Sequence, residues 1–493
     1  MDDSMIERIK SIFLIILIII SIIQVGILWG YQSHGLPTGF LSSFFSRISP
    51  NYAFDLNKAK EEFRNPYKVV VSLGRDGKRW VVTKNNENYS KLCSNFSYYL
   101  QEALKTKPEE SKSLSTQDWY NFVLSKKSFI FEFKVNIDIR LINWMYGIHD
   151  TGGNELTGVY KAALLPDENI NENNMVMYIT DGLKLYKYVL KVGGIDKKGL
   201  AAIIDNLSEN IRLKTYSVIG DYFSGTSTRQ DILYLHKFGM IKDNTYNFYN
   251  LMCKAPSELI PKDPGNISDR NQVAENFLGN ENFESDIGDD GSLVFVNLNN
   301  VYRIYDDGLL QYRYKPDGNE PGKGSIQDAF AKTLEFLFKY NRQNLISNVD
   351  IILTNISEDK NSYKFSFDYF IDEMPVIVNY SSKGTSKNVY KNAITVEASG
   401  GRVISADSLI KDFEFHELVK YRIEFTEAHD AMVNVFRKAD RMDVLKKESF
   451  LVNDINIGYL MENEINNEEI LKPVWVFETN ESGFENIIIS LQK

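Results

Sequence analysis

The sequence has few of the residues from which metal centres and disulfide frameworks are built. Its 493 residues include only two cysteines, Cys93 and Cys253, and five histidines scattered singly. Two cysteines cannot form a disulfide framework or a cysteine-rich zinc site. They form either one long-range disulfide or two buried thiols, and the thiols are favoured. No two histidines have the i, i+4 spacing of a helical metal site, so no metal is predicted.

Acidic residues outnumber basic ones, and the common catalytic motifs are missing. The chain has 56 Lys and Arg against 66 Asp and Glu, which gives a net charge of −10 and a pI near 5.3. This balance argues against binding of nucleic acid or anionic lipid by the soluble part. The phosphate loop, the zinc-protease helix and the lipase G-x-S-x-G motif are absent from the sequence. We therefore predict no enzyme activity and no cofactor.

Two segments have some features of ligand sites. Residues Gly322 to Ser325 lack the spacing of a phosphate loop, and a surface loop before a capped helix is the favoured interpretation. Residues Asp286 to Gly291 lack the ligand spacing and the distal Glu of a calcium loop, so a solvated loop is favoured there. Composition alone leaves open a pair of carboxylates for acid–base catalysis.

The sequence does contain one long uncharged apolar run, residues 12–29. Such a run crosses the roughly 30 Å hydrocarbon core as a helix. Arg8 and Lys10 precede it and the next basic residue is Arg47, which places the N-terminus in the cytoplasm. The run is longer than the apolar region of a cleaved signal sequence usually is. The residues at its end and just after it make poor cleavage sites. We predict a cytoplasmic tail (1–11), a transmembrane helix (12–29) and an extracytoplasmic remainder.

The predicted transmembrane helix carries one candidate contact face. Ser21 and Gln24 are its clearly polar residues, and Gly26 is its smallest. Residues three apart face broadly the same way on a helix. Because helices associate in lipid through small and polar side chains, we predict that Ser21, Gln24 and Gly26 contact a partner helix. The alternative is that the bilayer simply tolerates one Ser and one Gln.

The extracytoplasmic part is too long for one core and is predicted to be a multidomain α+β structure with antiparallel sheets. Alternating apolar runs such as KVVVSL (68–73) and KRWVVT (78–83) predict strands and a hairpin. The proline-rich segment Pro256 to Asp269 predicts a domain boundary. The predicted divisions are a juxtamembrane connector (30–60), an N-terminal domain (61–255), a central domain (270–412) and a C-terminal domain (413–493).

The C-terminal half has a repeated pattern. A helix from Ser325 to Tyr340 is followed by predicted strands, and a second helix from Glu427 to Ala439 is followed by three more. We interpret this as two helix-plus-strand-meander units, although their sequences are not visibly alike.

Several segments, taken in order, resemble the YycH/YycI family of membrane-anchored regulators in low-GC Gram-positive bacteria. The start IERIKSI before the apolar run, the helix–strand–helix pattern over 119–148, and the strands YKFSFDYFIDEMPVI, AITVEASGGRVI and LKPVWVF all carry the similarity. The length is closer to YycH than to the shorter YycI, and the C-terminal domain is YycI-like. Departures are the acidic insertion near Asp286 and the linker at Pro256.

The resemblance implies a role in signal transduction. Family members sit in the cytoplasmic membrane, act with a YycI-like partner and adjust a two-component sensor histidine kinase that governs cell-wall homeostasis. They have no known catalysis or cofactor. We therefore expect a regulatory protein that contacts the kinase through its transmembrane helix and extracytoplasmic domains. The alternatives are an exported ligand-binding or assembly protein and, less favoured, an anchored cell-wall enzyme.

Overall fold

The structure, a computed structural model, describes residues 54–490 with gaps. All the described residues lie in one compact unit, Ala53–Lys493. The gaps are 76–77, 83, 85, 116, 150–154, 167–173, 192–196, 210–214, 222–228, 236–244, 280–282, 319–321, 341–348, 372, 382–388, 423–432, 436, 438–450, 463–467 and 480–485.

Six α-helices have described bounds: α1 (Leu56–Arg64), α2 (Glu87–Leu104), α3 (Ile139–Tyr146), α4 (Lys197–Glu209), α5 (Ile267–Val273) and α6 (Ile326–Tyr340). Two short π-helices, Tyr120–Leu124 and Ala274–Leu278, and two 3-10 turns, Ile219–Asp221 and Ser257–Leu259, lie between them.

Strands make up most of the remaining regular structure. They are β1 (Lys68–Leu73), β2 (Arg79–Val82), β3 (Glu110–Ser113), β4 (Lys127–Asp138), β5 (Gly158–Leu165), β6 (Asn174–Thr180), β7 (Lys184–Lys191), β8 (Thr215–Val218), β9 (Leu233–Leu235), β10 (Thr245–Lys254), β11 (Glu284–Ile287), β12 (Leu293–Asn297), β13 (Asn300–Ile304), β14 (Leu309–Tyr314), β15 (Val349–Glu358), β16 (Tyr363–Ile371), β17 (Met374–Ser381), β18 (Val389–Tyr390), β19 (Ile394–Ser399), β20 (Arg402–Leu409), β21 (Asp412–Arg422), β22 (Val452–Glu462), β23 (Glu468–Leu471), β24 (Pro473–Thr479) and β25 (Asn486–Ser490).

The first sheet has nine antiparallel strands in the order β3-β7-β6-β5-β4-β1-β2-β8-β9. The predicted hairpin is confirmed, since Val69 of β1 pairs with Val82 of β2. Both faces of the sheet are buried. On one face Phe96 of α2 stacks on Phe131 of β4 with ring centroids 4.5 Å apart. On the other face a second apolar cluster contains Trp119 and the π-helix that follows it.

Helices begin where the sequence supplies a cap. Asn86 accepts a hydrogen bond from the backbone N–H of Asn88 at the start of α2. Ser325 accepts one from the N–H of Asp328 at the start of α6, and the Asp328 carboxylate accepts the Ser325 hydroxyl. Side chains of this kind satisfy the otherwise unpaired N–H groups of a first helical turn. The expectation of a capped helix after Gly322–Ser325 is confirmed.

The second large sheet has thirteen strands, in the order β11-β12-β13-β14-β20-β19-β16-β17-β22-β24-β25, with β15 and β18 as branches. Its pairs are antiparallel except that β17 and β22 run parallel. The two large sheets share one apolar core. Phe63 of α1 contacts Phe330 of α6 and Phe367 of β16, with ring centroids 5.9 and 5.8 Å apart.

A small sheet in the order β21-β10-β23 joins a strand of the predicted N-terminal domain, β10, to two strands that lie almost entirely in the predicted C-terminal domain. Leu251 of β10 pairs with Phe415 of β21 and with Leu471 of β23. The α+β class and its antiparallel sheets are confirmed. The division into 61–255, 270–412 and 413–493 stays a prediction. So does the repeat, because most of its second helix lies outside the described residues.

The structure corrects some local expectations. Strands β10 and β21 and helix α4 were not predicted, and the acidic segment expected to be a solvated loop begins as strand β11. Its Asp290 accepts hydrogen bonds from Ser292 and Tyr305. Both cysteines are buried free thiols, so the disulfide alternative is excluded.

Candidate functional site

The predicted transmembrane contact residues Ser21, Gln24 and Gly26 lie outside the described residues, as does the whole span 12–29. Within the described ranges no helix is long and apolar enough to cross a bilayer. The same ranges contain no group of three or more His, Cys, Asp and Glu side chains arranged to hold a metal ion. The most distinctive polar arrangement that the structure describes lies between the two large sheets.

Three adjacent strands of the nine-stranded sheet begin this arrangement. Lys68 of β1 is the register partner of Glu132 on β4, and Glu132 is the partner of Lys161 on β5. Directly opposed residues point to the same face of a sheet. The Glu132 carboxylate therefore lies between two amines, 3.7 Å from Lys68 Nζ and 3.2 Å from Lys161 Nζ.

Strand β4 is irregular next to Glu132, at the position of Lys134, whose side chain reaches the other large sheet. The register between β4 and β5 shifts between Glu132 and Ile137. Gly158 of β5 allows the close approach here, since a Cβ atom on it would lie 2.7 Å from the Ile137 carbonyl oxygen. Lys134 lies in the shifted segment. A bulge of this kind redirects the side chains near it.

Lys134 reaches two carboxylates on the C-terminal strands. Asp454 of β22 and Glu478 of β24 are register partners and directly oppose each other. Like charges in this position repel, which destabilises a sheet. The Nζ of Lys134 lies 3.3 Å from Asp454 and also contacts Glu478. The Asn456 amide donates a further hydrogen bond of 2.8 Å to Asp454. One amine thus relieves the repulsion between two strands of the other sheet.

A second connection between the sheets runs through Asp231, which lies just before β9. Its carboxylate accepts two hydrogen bonds from the Arg229 guanidinium, at 2.9 and 2.8 Å, and contacts Lys161 Nζ at 3.0 Å. The backbone N–H of Arg229 donates to the Val452 carbonyl oxygen at the start of β22. The bidentate fork fixes the orientation of both side chains.

These contacts form two sets, one around Glu132 and Asp231 and one around Lys134. The sets interact through their charges, since Lys68 and Lys161 both lower the pKa of Asp454. Together they are charge-balanced and are here called the charged cluster. It consists of four cations and four carboxylates: Lys68, Lys134, Lys161 and Arg229 with Glu132, Asp231, Asp454 and Glu478. Most of it is shielded from water, and the Asp231 side chain is only 1% exposed. Buried charges persist in proteins when they are paired, because an unpaired buried ion is costly.

The surrounding carboxylates keep Lys134 and Lys161 protonated. Burial disfavours the charged form of Lys134, but the carboxylates of Glu478 and Asp454 outweigh burial and hold the pKa of Lys134 above its usual value. Burial also opposes the charge of Lys161, and Asp231 and Glu132 again raise the pKa. A lysine needs a lowered pKa to serve as a nucleophile or base. These amines are therefore suited to binding carboxylates and not to covalent catalysis.

The pKa values of the carboxylates shift in different directions. Burial favours the neutral form of Asp231, yet Lys161 and Arg229 lower its pKa. Burial is opposed in the same way at Asp454, where Lys134 and Lys68 lower the pKa to about 2. Glu478 has a raised pKa, chiefly because of burial and with a contribution from the charge of Asp454. Two facing carboxylates divide in this way because ionising one makes ionising the other harder.

A small cavity borders the cluster at Lys134. Its volume is about 30 Å³, and its lining includes Tyr67, Phe133 and Ile351. This space suits a water molecule but is far below the roughly 300 Å³ at which small-molecule sites begin. The cluster and its cavity therefore have the geometry of a joint between two sheets and not of a substrate pocket.

Sequence reasoning did not identify the charged cluster. A usable signal was present, because Glu132 and Lys134 interrupt the apolar run FIFEFKV and Lys161 interrupts VYKAALL. A charged residue inside a buried strand needs a partner. The two carboxylate partners of Lys134 are 320 and 344 positions away, the partner Asp231 of Lys161 is 70 positions away, and all of them are found only in the folded chain.

Comparison with known proteins shows a likeness of fold. No protein-family model and no curated protein sequence matches the chain. The crystal structure of YycH from Bacillus subtilis is similar, with a TM-score of 0.50 at 13% identity, covering 90% of this chain and 98% of that one. An uncharacterized protein from Eubacterium rectale aligns with a TM-score of 0.32 at 11% identity, covering 54% of this chain and 88% of that one. The chain therefore has a YycH-like fold.

Proposed function

We propose that this chain is a membrane-anchored regulator that modulates a sensor histidine kinase from the outer side of the cytoplasmic membrane. The observation that carries the proposal is the YycH-like fold, which extends over 90% of the chain. The apolar run at 12–29 supplies the anchor, and cell-wall homeostasis is the process that the kinase governs. A YycI-like protein is the expected second partner.

Regulation requires that the chain bind one state of the kinase more tightly than another. A ligand shifts a two-state equilibrium only through such a difference in affinity. We propose two contacts that supply it. One is the transmembrane helix, through the face that Ser21 and Gln24 share and through the small residue Gly26, against a kinase helix. The other is an extracytoplasmic surface against the sensor domain.

The structure of the described part supports a rigid extracytoplasmic body. The shared apolar core and the charged cluster both join the two large sheets. Close-packed interfaces of this kind do not deform continuously. The described part therefore moves as a rigid body, and a change in its position is transmitted to any protein that it contacts.

The test is affinity purification of the full-length chain from native membranes in mild detergent. A parallel form has residues 12–29 replaced by an unrelated transmembrane anchor. Recovery of a histidine kinase by the native form alone supports regulation through the helix, and recovery by both forms assigns the contact to the extracytoplasmic part. If neither form recovers a kinase, the proposed function is wrong.

The helix contact has its own test. Gln24→Leu removes a polar side chain from the proposed face, and Ile22→Leu is the matched control within the same span. We expect Gln24→Leu to lower both kinase recovery and kinase output while Ile22→Leu leaves them at the native level. Equal recovery and output in the two variants contradict the proposed contact.

A further inference from the structure

The two ends of the thirteen-stranded sheet differ in how they are protected. Its order ends at β11 on one side and β25 on the other, and among the described residues no strand pairs with the outer edge of either. An edge strand presents unpaired N–H and C=O groups that can pair with another chain. Natural proteins usually protect such edges with charged residues, proline or bulges.

Strand β11 has this protection and β25 does not. The sequence of β11 is ESDI, and the side chains of Glu284 and Asp286 are exposed. A second strand that approached this edge would meet two carboxylates. The sequence of β25 is NIIIS, without charge or proline. It pairs regularly with β24 over five register positions, from Glu478↔Asn486 to Val474↔Ser490. A regular strand of this kind is a template for further pairing.

The sequence of β25 is also close to symmetric about its middle residue. An antiparallel partner centred on Ile488 would place Ile487 opposite Ile489 and Asn486 opposite Ser490. Apolar residues then face apolar residues and short polar side chains face each other, which favours cross-strand pairing. The strand is therefore complementary to a second copy of itself in the antiparallel direction.

We propose that β25 is an interaction surface whose occupant is β25 of a second copy of this chain. The two strands pair antiparallel about a two-fold axis at Ile488 and join two thirteen-stranded sheets edge to edge. An interface that uses the same patch on both partners closes on itself and does not propagate into a filament. The inference goes beyond the proposed function, because it requires neither a kinase nor a YycI-like partner.

The pairing has limited extent. Five residues on each side give an interface well below the roughly 1,200 to 2,000 Å² of stable complexes. The dimer is therefore weak and concentration-dependent in solution. Confinement of both copies to one membrane surface raises their effective concentration and favours pairing.

The first experiment traps the interface with a disulfide. The full-length chain carrying Ile488→Cys is purified in mild detergent and oxidised, and covalent dimer is followed on non-reducing gels. Cross-linking through the native cysteines is expected to be low, because Cys93 and Cys253 are buried. The control is Leu298→Cys, at a hairpin turn where the native side chain is 92% exposed. We expect Ile488→Cys to cross-link at least about tenfold faster, because opposed strand residues have Cα atoms within disulfide reach.

The second experiment reverses a charge without changing position. In Asn486→Lys/Ser490→Lys the introduced side chains face like charges across the two-fold axis, and in Asn486→Lys/Ser490→Glu they face opposite charges. We expect the second variant to dimerise roughly tenfold more tightly by analytical ultracentrifugation, since two symmetry-related cross-strand pairs change sign.

Each result decides the proposal. Faster cross-linking at position 488 together with the charge effect supports self-pairing. The proposal is overturned if position 488 cross-links no faster than position 298, or if the two charge variants dimerise equally. It is also overturned if position 488 cross-links only in native membranes and only to a different protein, because the edge would then take a foreign strand.

Discussion

The Nζ of Lys134 lies 3.3 Å from a carboxylate oxygen of Asp454, although 320 positions separate the two residues in the chain. Lys134 belongs to the nine-stranded sheet and Asp454 to the thirteen-stranded sheet. The same amine also contacts Glu478, which directly opposes Asp454. The Lys134 side chain therefore does two things. It connects the two large sheets, and it neutralises the repulsion between the paired strands β22 and β24.

Removing this amine should destabilise the fold. In Lys134→Met, Asp454 and Glu478 keep their positions but lose their shared counter-charge. Breaking a buried ion pair from one side costs about 3 to 5 kcal/mol, and the 13% exposure of Lys134 places the expected loss near the lower figure. Urea unfolding of the native chain and the variant measures it.

The control for this variant is Lys332→Met, which breaks an ion pair with Glu335 whose side chains are 47% and 50% exposed. Exposed pairs contribute between about 0 and 1 kcal/mol. Equal losses in Lys134→Met and Lys332→Met would contradict a buried joint. Adding Asp454→Asn and Glu478→Gln to Lys134→Met should recover part of the stability, because the orphaned charges are then removed.

The charged cluster should also make the free energy of unfolding depend on pH in the acidic range. The pKa of Asp454 is about 2 in the folded chain, below its usual 3.8. Its ionisation therefore stabilises the fold above about pH 4, and this contribution of about 2 kcal/mol is lost as the pH falls towards 2. Glu478 acts in the opposite direction, since its raised pKa makes the folded chain take up a proton before the unfolded chain does.

We therefore expect Asp454→Asn to show a shallower loss of unfolding free energy between about pH 4 and 2 than the native chain. Denaturant unfolding at a series of pH values gives the slope. The control is Asp350→Asn, which removes an exposed ion pair with Lys84 and should retain the native slope. Identical slopes for Asp454→Asn and the native chain would contradict the assignment.

The two cysteines should be unreactive in the folded chain. Burial raises the pKa of the Cys93 thiol to about 11 and that of Cys253 to about 12. The thiolate is the reactive form, so both burial and the raised pKa slow attack on a disulfide reagent. We expect no release of chromophore from Ellman's reagent at pH 8 under native conditions and two equivalents in urea. Rapid native labelling of either thiol would contradict the burial.

Leu298 is a residue whose replacement should stabilise the chain. It lies in the turn between β12 and β13 with φ of 50° and is 92% exposed. A left-handed backbone is unfavourable for leucine and is well tolerated by asparagine. Leu298→Asn should raise the unfolding free energy by about 0.5 to 1 kcal/mol, measured by thermal or urea unfolding.

The matched control is Leu183→Asn, since Leu183 is 78% exposed and is not among the described residues with positive φ. There the same replacement should change stability by less than about 0.5 kcal/mol. A stabilisation of equal size at Leu183 would assign the effect to the loss of an exposed apolar side chain and not to the backbone.

Local patterns allowed much of the fold to be predicted. The alternation of KVVVSL and YKFSFDYFI identified β1 and β16 at their observed bounds, because each residue of a strand faces the side opposite to its neighbours. Helix α6 was predicted from its cap and its apolar face. These features depend on residues within a few positions of one another.

The parts that were missed depend on distant residues. Strand β21 alternates in DFEFHE, but it was not predicted. Its pairing with β10 joins residues that are far apart in the chain, such as Thr245 with Arg422. The charged cluster could not be assembled from sequence either. Lys134 was visible as a charge in an apolar strand, whereas nothing local to it specifies Asp454 or Glu478. The predicted transmembrane contact residues stay a prediction.

The position of Lys134's partners in the chain has a consequence for the order of folding. A chain made from its N-terminus presents the nine-stranded sheet long before Asp454 and Glu478 emerge. Until then, the Lys134 amine has neither of the two partners that the finished fold gives it. The nine-stranded sheet is therefore expected to reach full stability only when the last strands arrive, and a chain truncated before β22 would retain the cost of that unmatched amine.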